Sequence, residues 1–95
     1  MRIAILGAGK MGVWFAKFFL NEGYSVVVAD RKKEKLSKLK SEIAVETADF
    51  VAAVKNADRV LICVSISAFE EVVKKISPAI REGQVIMDIC SIKDF

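Results

Sequence analysis

Ile3-Ala4-Ile5-Leu6-Gly7-Ala8-Gly9-Lys10-Met11-Gly12 is the stretch that decides the fold. An apolar run gives way to three glycines at GxGxxG spacing, and a helical pattern follows as far as Gly23. A second apolar run, Tyr24 to Ala29, then ends in Asp30. That order predicts a strand, a glycine turn, a helix and a second strand closed by an acid, which is the phosphate-binding first unit of a dinucleotide-binding sheet. Each glycine has its own task. Gly7 lets the chain turn sharply off the strand, Gly9 leaves the backbone bare for a pyrophosphate, and Gly12 lets the helix pack close to the sheet. Lys10 and Met11 fall in the helix's first turn, whose unpaired N–H groups and dipole face the two phosphate charges. A GxGxxG alone is a weak signal. Here it stands between a strand and a helix, with Asp30 18 positions past Gly12, near the roughly 20 expected.

The bulk properties agree with a layered α/β domain. At 95 residues the chain holds one domain at most, short for a whole dehydrogenase. Its hydrophobic share of 54% exceeds the usual range of roughly 45–50%, as strands buried on both faces require. No run approaches the roughly 20 apolar residues of a membrane span, and Met1 leads almost directly into a strand. A cytoplasmic protein with no membrane partner is therefore expected. The net charge of +3 reflects lysines at 32, 33, 35, 38 and 40, without the interleaved aromatics that would stack on nucleic-acid bases. They read as a solvated helix face, and no nucleic-acid partner is expected. With no histidine and no metal-ligand spacing around Cys63 and Cys90, no metal site is expected. Both cysteines read as small buried hydrophobes. Neighbouring strand ends could bring them together, but a reducing cytoplasm argues against a disulfide.

Taken in order, residues 2–6 form the first strand and residues 10–22 the helix after the turn, with Val13, Phe15, Phe18 and Phe19 as its apolar face. Gly23 is a left-handed C-cap. A second helix spans residues 32–41 on Leu36 and Leu39, a short third strand residues 43–46, and a short helix residues 49–55 turns Phe50, Val51 and Val54 inward. Residues 59–64 form the fourth strand. Ser67 and Glu70 have capping-box spacing for a helix that buries Phe69, Val72, Val73 and Ile76. Ser77-Pro78 reads as an N-cap followed by proline at the first helical position, opening a last turn to Arg81. Residues 84–89 give the fifth strand. With right-handed crossovers this is a doubly wound parallel sheet of the Rossmann type, order 3-2-1-4-5.

A dinucleotide would lie across the carboxyl ends of strands one and four. Asp30 is placed to accept from the adenosine ribose hydroxyls and to repel a 2′-phosphate, so NAD is the expected cofactor. Arg31 leaves NADP as the alternative, since a guanidinium there could grip that phosphate, lie against the adenine or be solvated. Val64, Ser65 and Ile66 would line the crevice on the nicotinamide side.

Two segments carry a resemblance to a known family. The turn Gly7 to Gly12, with methionine before its last glycine, is similar to that of the 3-hydroxyacid and prephenate dehydrogenases. The tail Asp88-Ile89-Cys90-Ser91-Ile92-Lys93 resembles the Asp-x-x-Ser-x-Lys segment of prephenate dehydrogenases. The resemblance implies residues 1–95 as the dinucleotide-binding domain of a two-domain, NAD(P)-dependent oxidoreductase of tyrosine biosynthesis. That enzyme converts prephenate, or its relative arogenate, by hydride transfer and loss of carbon dioxide; prephenate gives 4-hydroxyphenylpyruvate. Ser91 is then the catalytic residue that hydrogen-bonds the substrate hydroxyl and orients the base, and Lys93 attracts a substrate carboxylate. The bland reading of both is a helix cap or a loop residue. The family's histidine base and its largely helical C-terminal domain, through which a homodimer would form, have no counterpart in this sequence. The chain thus reads as truncated before that domain, able to bind cofactor and unable to turn over substrate.

Within the same class the rivals are a 3-hydroxyacid dehydrogenase, a pyrroline-carboxylate reductase and a deazaflavin-dependent NADP reductase. From another class, a stand-alone nucleotide-sensing module would show a conformational response to the NADH/NAD ratio. A basic nucleic-acid module would show steep salt dependence of binding.

Overall fold

The structure, a computed structural model, describes residues 1–89. A single parallel sheet has the order β3-β2-β1-β4-β5, as the alternation of apolar runs and helices predicts. In chain order the elements are β1 (Arg2–Leu6), α1 (Lys10–Asn21), β2 (Ser25–Ala29), α2 (Lys33–Glu42), β3 (Glu46–Thr47), α3 (Phe50–Lys55), β4 (Arg59–Ile62), α4 (Ile66–Ile76) and β5 (Val85–Asp88). A single 3-10 turn, Ser77–Ala79, follows α4.

β1 lies at the centre, with Ile5 opposite Val28 on one side and Leu61 on the other. Its side chains alternate between two cores. Ala4 and Leu6 face α3 and α4, among Val27, Phe50, Val54, Val60, Val72 and Ile76. Ile3 and Ile5 face α1 and α2, among Ala16, Val26, Val28, Leu39 and Leu61. Burying each branched side chain is worth about 1.5–3 kcal/mol, which explains why β1, β2 and β4 carry almost no polar residue.

α1 approaches the sheet along the small residues Gly12 and Ala16, four positions apart. That stripe overturns one expectation. Phe18 lies two positions past Ala16, about 200° around the helix, and is 44% exposed rather than buried. It stacks on Trp14 at 5.6 Å, while Val13, Phe15, Phe19 and Leu20 flank the buried stripe. The helix ends in a Schellman motif. Gly23, at φ +91°, donates to the Leu20 carbonyl, Tyr24 donates to the Phe19 carbonyl, and the Tyr24 and Phe19 rings meet edge to face.

Further boundaries differ from the sequence reading. β3 occupies Glu46–Thr47 rather than 43–46, because the ladder to β2 pairs Val27 with Glu46 and Val28 with Thr47. Ile43 and Val45 pack against the α1–α2 core from the turn before it. α4 begins at Ile66, one residue before Ser67, with Ser65 at its N-cap. The Ser67 hydroxyl meets Ser65 Oγ at 3.1 Å instead of opening a capping box with Glu70. Ser77 does not cap forward either; its hydroxyl donates to the Val73 carbonyl at 3.0 Å, and the turn stops at Ala79. By contrast, Asp49 caps α3 as its side-chain chemistry predicts, accepting from the Ala52 N–H at 2.8 Å.

Among the described residues, no helix is long and apolar enough to cross a membrane. No group of three or more His, Cys, Asp or Glu among them is placed to hold a metal ion.

Candidate functional site: a crevice at the carboxyl ends of the central strands

Where β1 and β4 diverge, the chain leaves the sheet toward opposite faces, α1 on one side and α4 on the other. Between them opens a crevice of about 280 Å³. Gly7, Gly9, Asp30, Arg31, Val64 and Ser65 line it, which brings together six of the residues singled out from the sequence. Lys10, Met11, Gly12 and Ile66 do not line it. Lys10 lines an adjoining groove between α1 and α2, Met11 and Ile66 point outward at 41% and 59% exposure, and Gly12 is buried. Ser91 lies outside the described residues, as do Cys90 and Lys93.

The glycine turn is built by three different constraints. Gly7 has φ +115°, and a Cβ there would stand 2.5 Å from the Cys63 carbonyl oxygen, so backbone angle and space both demand glycine. At Gly12 a Cβ would collide with the Gly7 carbonyl, so this glycine seats α1 against the turn. Gly9 is otherwise. Its φ is −79°, and nothing lies within 4 Å of where its Cβ would be. The fold makes no demand for glycine there, and the Gly9 backbone is left open to the crevice. Gly9 is also the N-cap of α1, with no side-chain cap and no acid in the first turn, so the helix presents its N-terminal N–H groups bare of protein carboxylates.

Asp30 ends β2 and joins two backbone segments. Oδ2 accepts from the Ala8 N–H at 2.7 Å and Oδ1 from the Lys32 N–H at 2.8 Å. A carboxylate offers about four acceptor positions, so two remain for hydroxyls entering the crevice. Arg31 points across it, its Nη1 3.4 Å from Glu71 Oε1 on α4. Phe50 of α3 with Ala68 and Val72 of α4 supply an apolar wall opposite these polar groups.

Sequence reading missed this apolar wall, having counted Phe50 and Val72 only as core. It also missed Lys32 and Lys35, which line the crevice rather than lying on a purely solvated face. Cys63 is half-buried in the crevice wall, not fully buried as expected. β4 stops at Ile62, and Cys63 and Val64 just beyond it line the crevice.

Parallel strand order, glycine turn and an acid at the end of β2 define a dinucleotide-binding type of domain of the Rossmann class. The chain belongs to the family of NADP oxidoreductases described as coenzyme F420-dependent, which matches residues 2–91. It is 38% identical over 96 residues to a probable arogenate/prephenate dehydrogenase of Methanocaldococcus jannaschii, covering 99% of this chain and 22% of that protein. Its fold superposes on the crystal structure of Synechocystis arogenate dehydrogenase with a TM-score of 0.88 at 20% identity, over 99% of this chain and 34% of the other. A semialdehyde dehydrogenase NAD-binding protein from Cupriavidus necator, solved in complex with calcium and NAD, is 33% identical with a TM-score of 0.78, over 92% of this chain and 32% of the other. The chain thus spans between about a fifth and a third of the length of these relatives.

Proposed function

We propose that this chain is the cofactor domain of an arogenate- or prephenate-type dehydrogenase and that NAD(H) occupies the crevice. The observation that carries the reading is the continuity of the site. Bare backbone at Gly9, where α1 begins, the Asp30 carboxylate and the apolar side chains of Phe50, Ala68 and Val72 all line a single cleft. Diphosphate, ribose and adenine need surfaces of those three kinds.

When bound, the nicotinamide supplies a hydride acceptor. The chain's own part is to hold it. Gly9 and the first turn of α1 receive the diphosphate, Asp30 accepts from the ribose hydroxyls, and Val64 and Ser65 flank the path toward the nicotinamide. Asp88, opposite Ile62 at the carboxyl end of β5, opens the tail whose pattern supports Ser91 as the residue that hydrogen-bonds a substrate hydroxyl. The substrate is a small hydroxylated carboxylate such as prephenate or arogenate, the enzyme is cytoplasmic, and further residues of a longer protein supply the base, the substrate contacts and a dimer interface. Calorimetric titration with NADH tests the cofactor reading, and a prephenate oxidation assay tests the division of labour. The 95 residues bind NADH and release no reduced nicotinamide from prephenate and NAD; turnover by this chain alone contradicts the assignment.

A second reading, an NADP-dependent reductase, is favoured by one observation: Arg31, Lys32 and Lys35 all line the crevice around Asp30. Parallel titration with NADPH separates the two.

A further inference from the structure

Arg31 and Glu71 stand 40 positions apart in sequence and meet across the edge of the crevice, guanidinium Nη1 to carboxylate Oε1 at 3.4 Å. Arg31 belongs to the turn after β2. Glu71 belongs to α4, whose Ala68 and Val72, three positions before and one after it, line the same crevice. The two side chains are 58% and 56% exposed, so the pair adds little to stability. Its consequence is for what Arg31 is free to bind.

Resting on the reading that a dinucleotide occupies this crevice, we propose that Glu71 is a specificity-determining residue, which holds Arg31 and disfavours a cofactor phosphorylated on its adenosine ribose. A guanidinium grips a phosphate best with two parallel N–H donors of its planar fork. Nη1 of the Arg31 fork is turned to Glu71. A phosphate beside Asp30 would therefore compete with a carboxylate for donors and meet the charges of both Asp30 and Glu71. A cofactor with only hydroxyls at that position meets neither penalty. The two acids differ in what else they do. Asp30 is bonded to the backbone of the glycine turn, whereas the recorded partner of Glu71 is Arg31. Glu71 is thus the acid that can be neutralised without disturbing the turn, and Lys32 and Lys35 stand ready to add to the attraction once it is gone.

The test titrates NADH and NADPH into the wild-type chain, Glu71→Gln, Arg31→Ala and the double variant, with thermal melts to check folding. In Glu71→Gln, NADPH binding tightens by about fivefold or more while NADH binding stays within about twofold, and most of the gain is lost when Arg31 is also removed. Glu71→Ala gives the same shift. An unchanged NADPH-to-NADH ratio with both cofactors bound overturns the role of Glu71 alone. A gain that is undiminished without Arg31 does the same. If the wild-type chain binds neither cofactor, the reading of the crevice fails and this inference falls with it.

Discussion

Asp30 Oδ2 accepts the backbone N–H of Ala8 across 2.7 Å, so the acid that ends β2 holds the turn that follows β1. The residue expected to grip a ribose also fixes the loop expected to cradle a diphosphate. Two recognition elements on separate strands are thereby set in one geometry before any ligand arrives, which lowers the ordering cost of binding.

Asp30→Asn separates these duties only in part, because an amide oxygen cannot accept from both backbone segments as a carboxylate does. Leaving one of those N–H groups without its partner costs about 1–3 kcal/mol of stability. Hydrogen exchange at the Ala8 amide speeds up, and NADH affinity falls by about tenfold or more, equivalent to about 1.4 kcal/mol. Exchange measured by NMR and calorimetry check the two effects side by side.

The glycines give a sharper separation of fold from binding. Gly7→Ala forces a side chain to φ +115° and against the Cys63 carbonyl; the backbone strain alone costs about 1–3 kcal/mol. Gly9→Ala meets open space at φ −79°, so its stability stays within about 0.5 kcal/mol of wild type. Its NADH affinity nonetheless drops about tenfold or more, since the new methyl stands where the diphosphate docks. Melting curves and titrations of the two variants should rank them oppositely.

Gln84 is a stability residue remote from the crevice. Its Nε2 donates to the Val54 and Ala57 carbonyls at 2.7 and 2.9 Å, and its Oε1 accepts the Arg81 N–H at 2.6 Å. These bonds tie the C-terminal end of α3 to the loop before β5. When Gln84 is gone Arg81 still donates to the Ala57 carbonyl and the Ala57 N–H to the Val54 carbonyl, so bonds are lost but neither carbonyl is orphaned. Gln84→Ala costs about 1–3 kcal/mol in denaturant unfolding and leaves NADH affinity unchanged.

Glu46 joins β3 to β1 through Arg2 at 2.7 Å. The hydrogen bond from Arg2, then its charge, holds the Glu46 carboxyl below its ordinary value of 4.5, with a smaller contribution from Lys40. A carboxylate stabilised in the folded state contributes stability above its unfolded pKa and loses it as pH falls through the lower, folded value. A carboxyl NMR titration therefore places Glu46 below 4.5 in wild type, and Arg2→Met moves it back up.

Much of this architecture is legible in the sequence because β1, β2 and β4 are apolar on both faces, a pattern that only a covered parallel sheet explains. The glycine turn was legible for a related reason: Gly7 and Gly12 answer steric demands that no other residue meets. What escaped depends on contacts between distant segments. β3 slipped downstream because its register follows Val27 and Val28 rather than its own apolar residues. Phe18 looks buried in a linear reading, yet the small residues Gly12 and Ala16 fix which side of α1 meets the sheet. The lining roles of Phe50, Val72 and Lys35 arise only when α2, α3 and α4 converge on one cleft, and the Arg31–Glu71 pair likewise joins residues with no local signal.

A nicotinamide dinucleotide seated in this cleft would touch it along its whole length. Titration of the isotopically labelled chain with NADH, followed amide by amide in heteronuclear NMR spectra, reads that contact out. The largest saturable shifts are expected at Gly9, Lys10, Asp30, Arg31 and Ser65, with α3 residues near Phe50 following. Shifts centred elsewhere, or none at millimolar NADH, would contradict it.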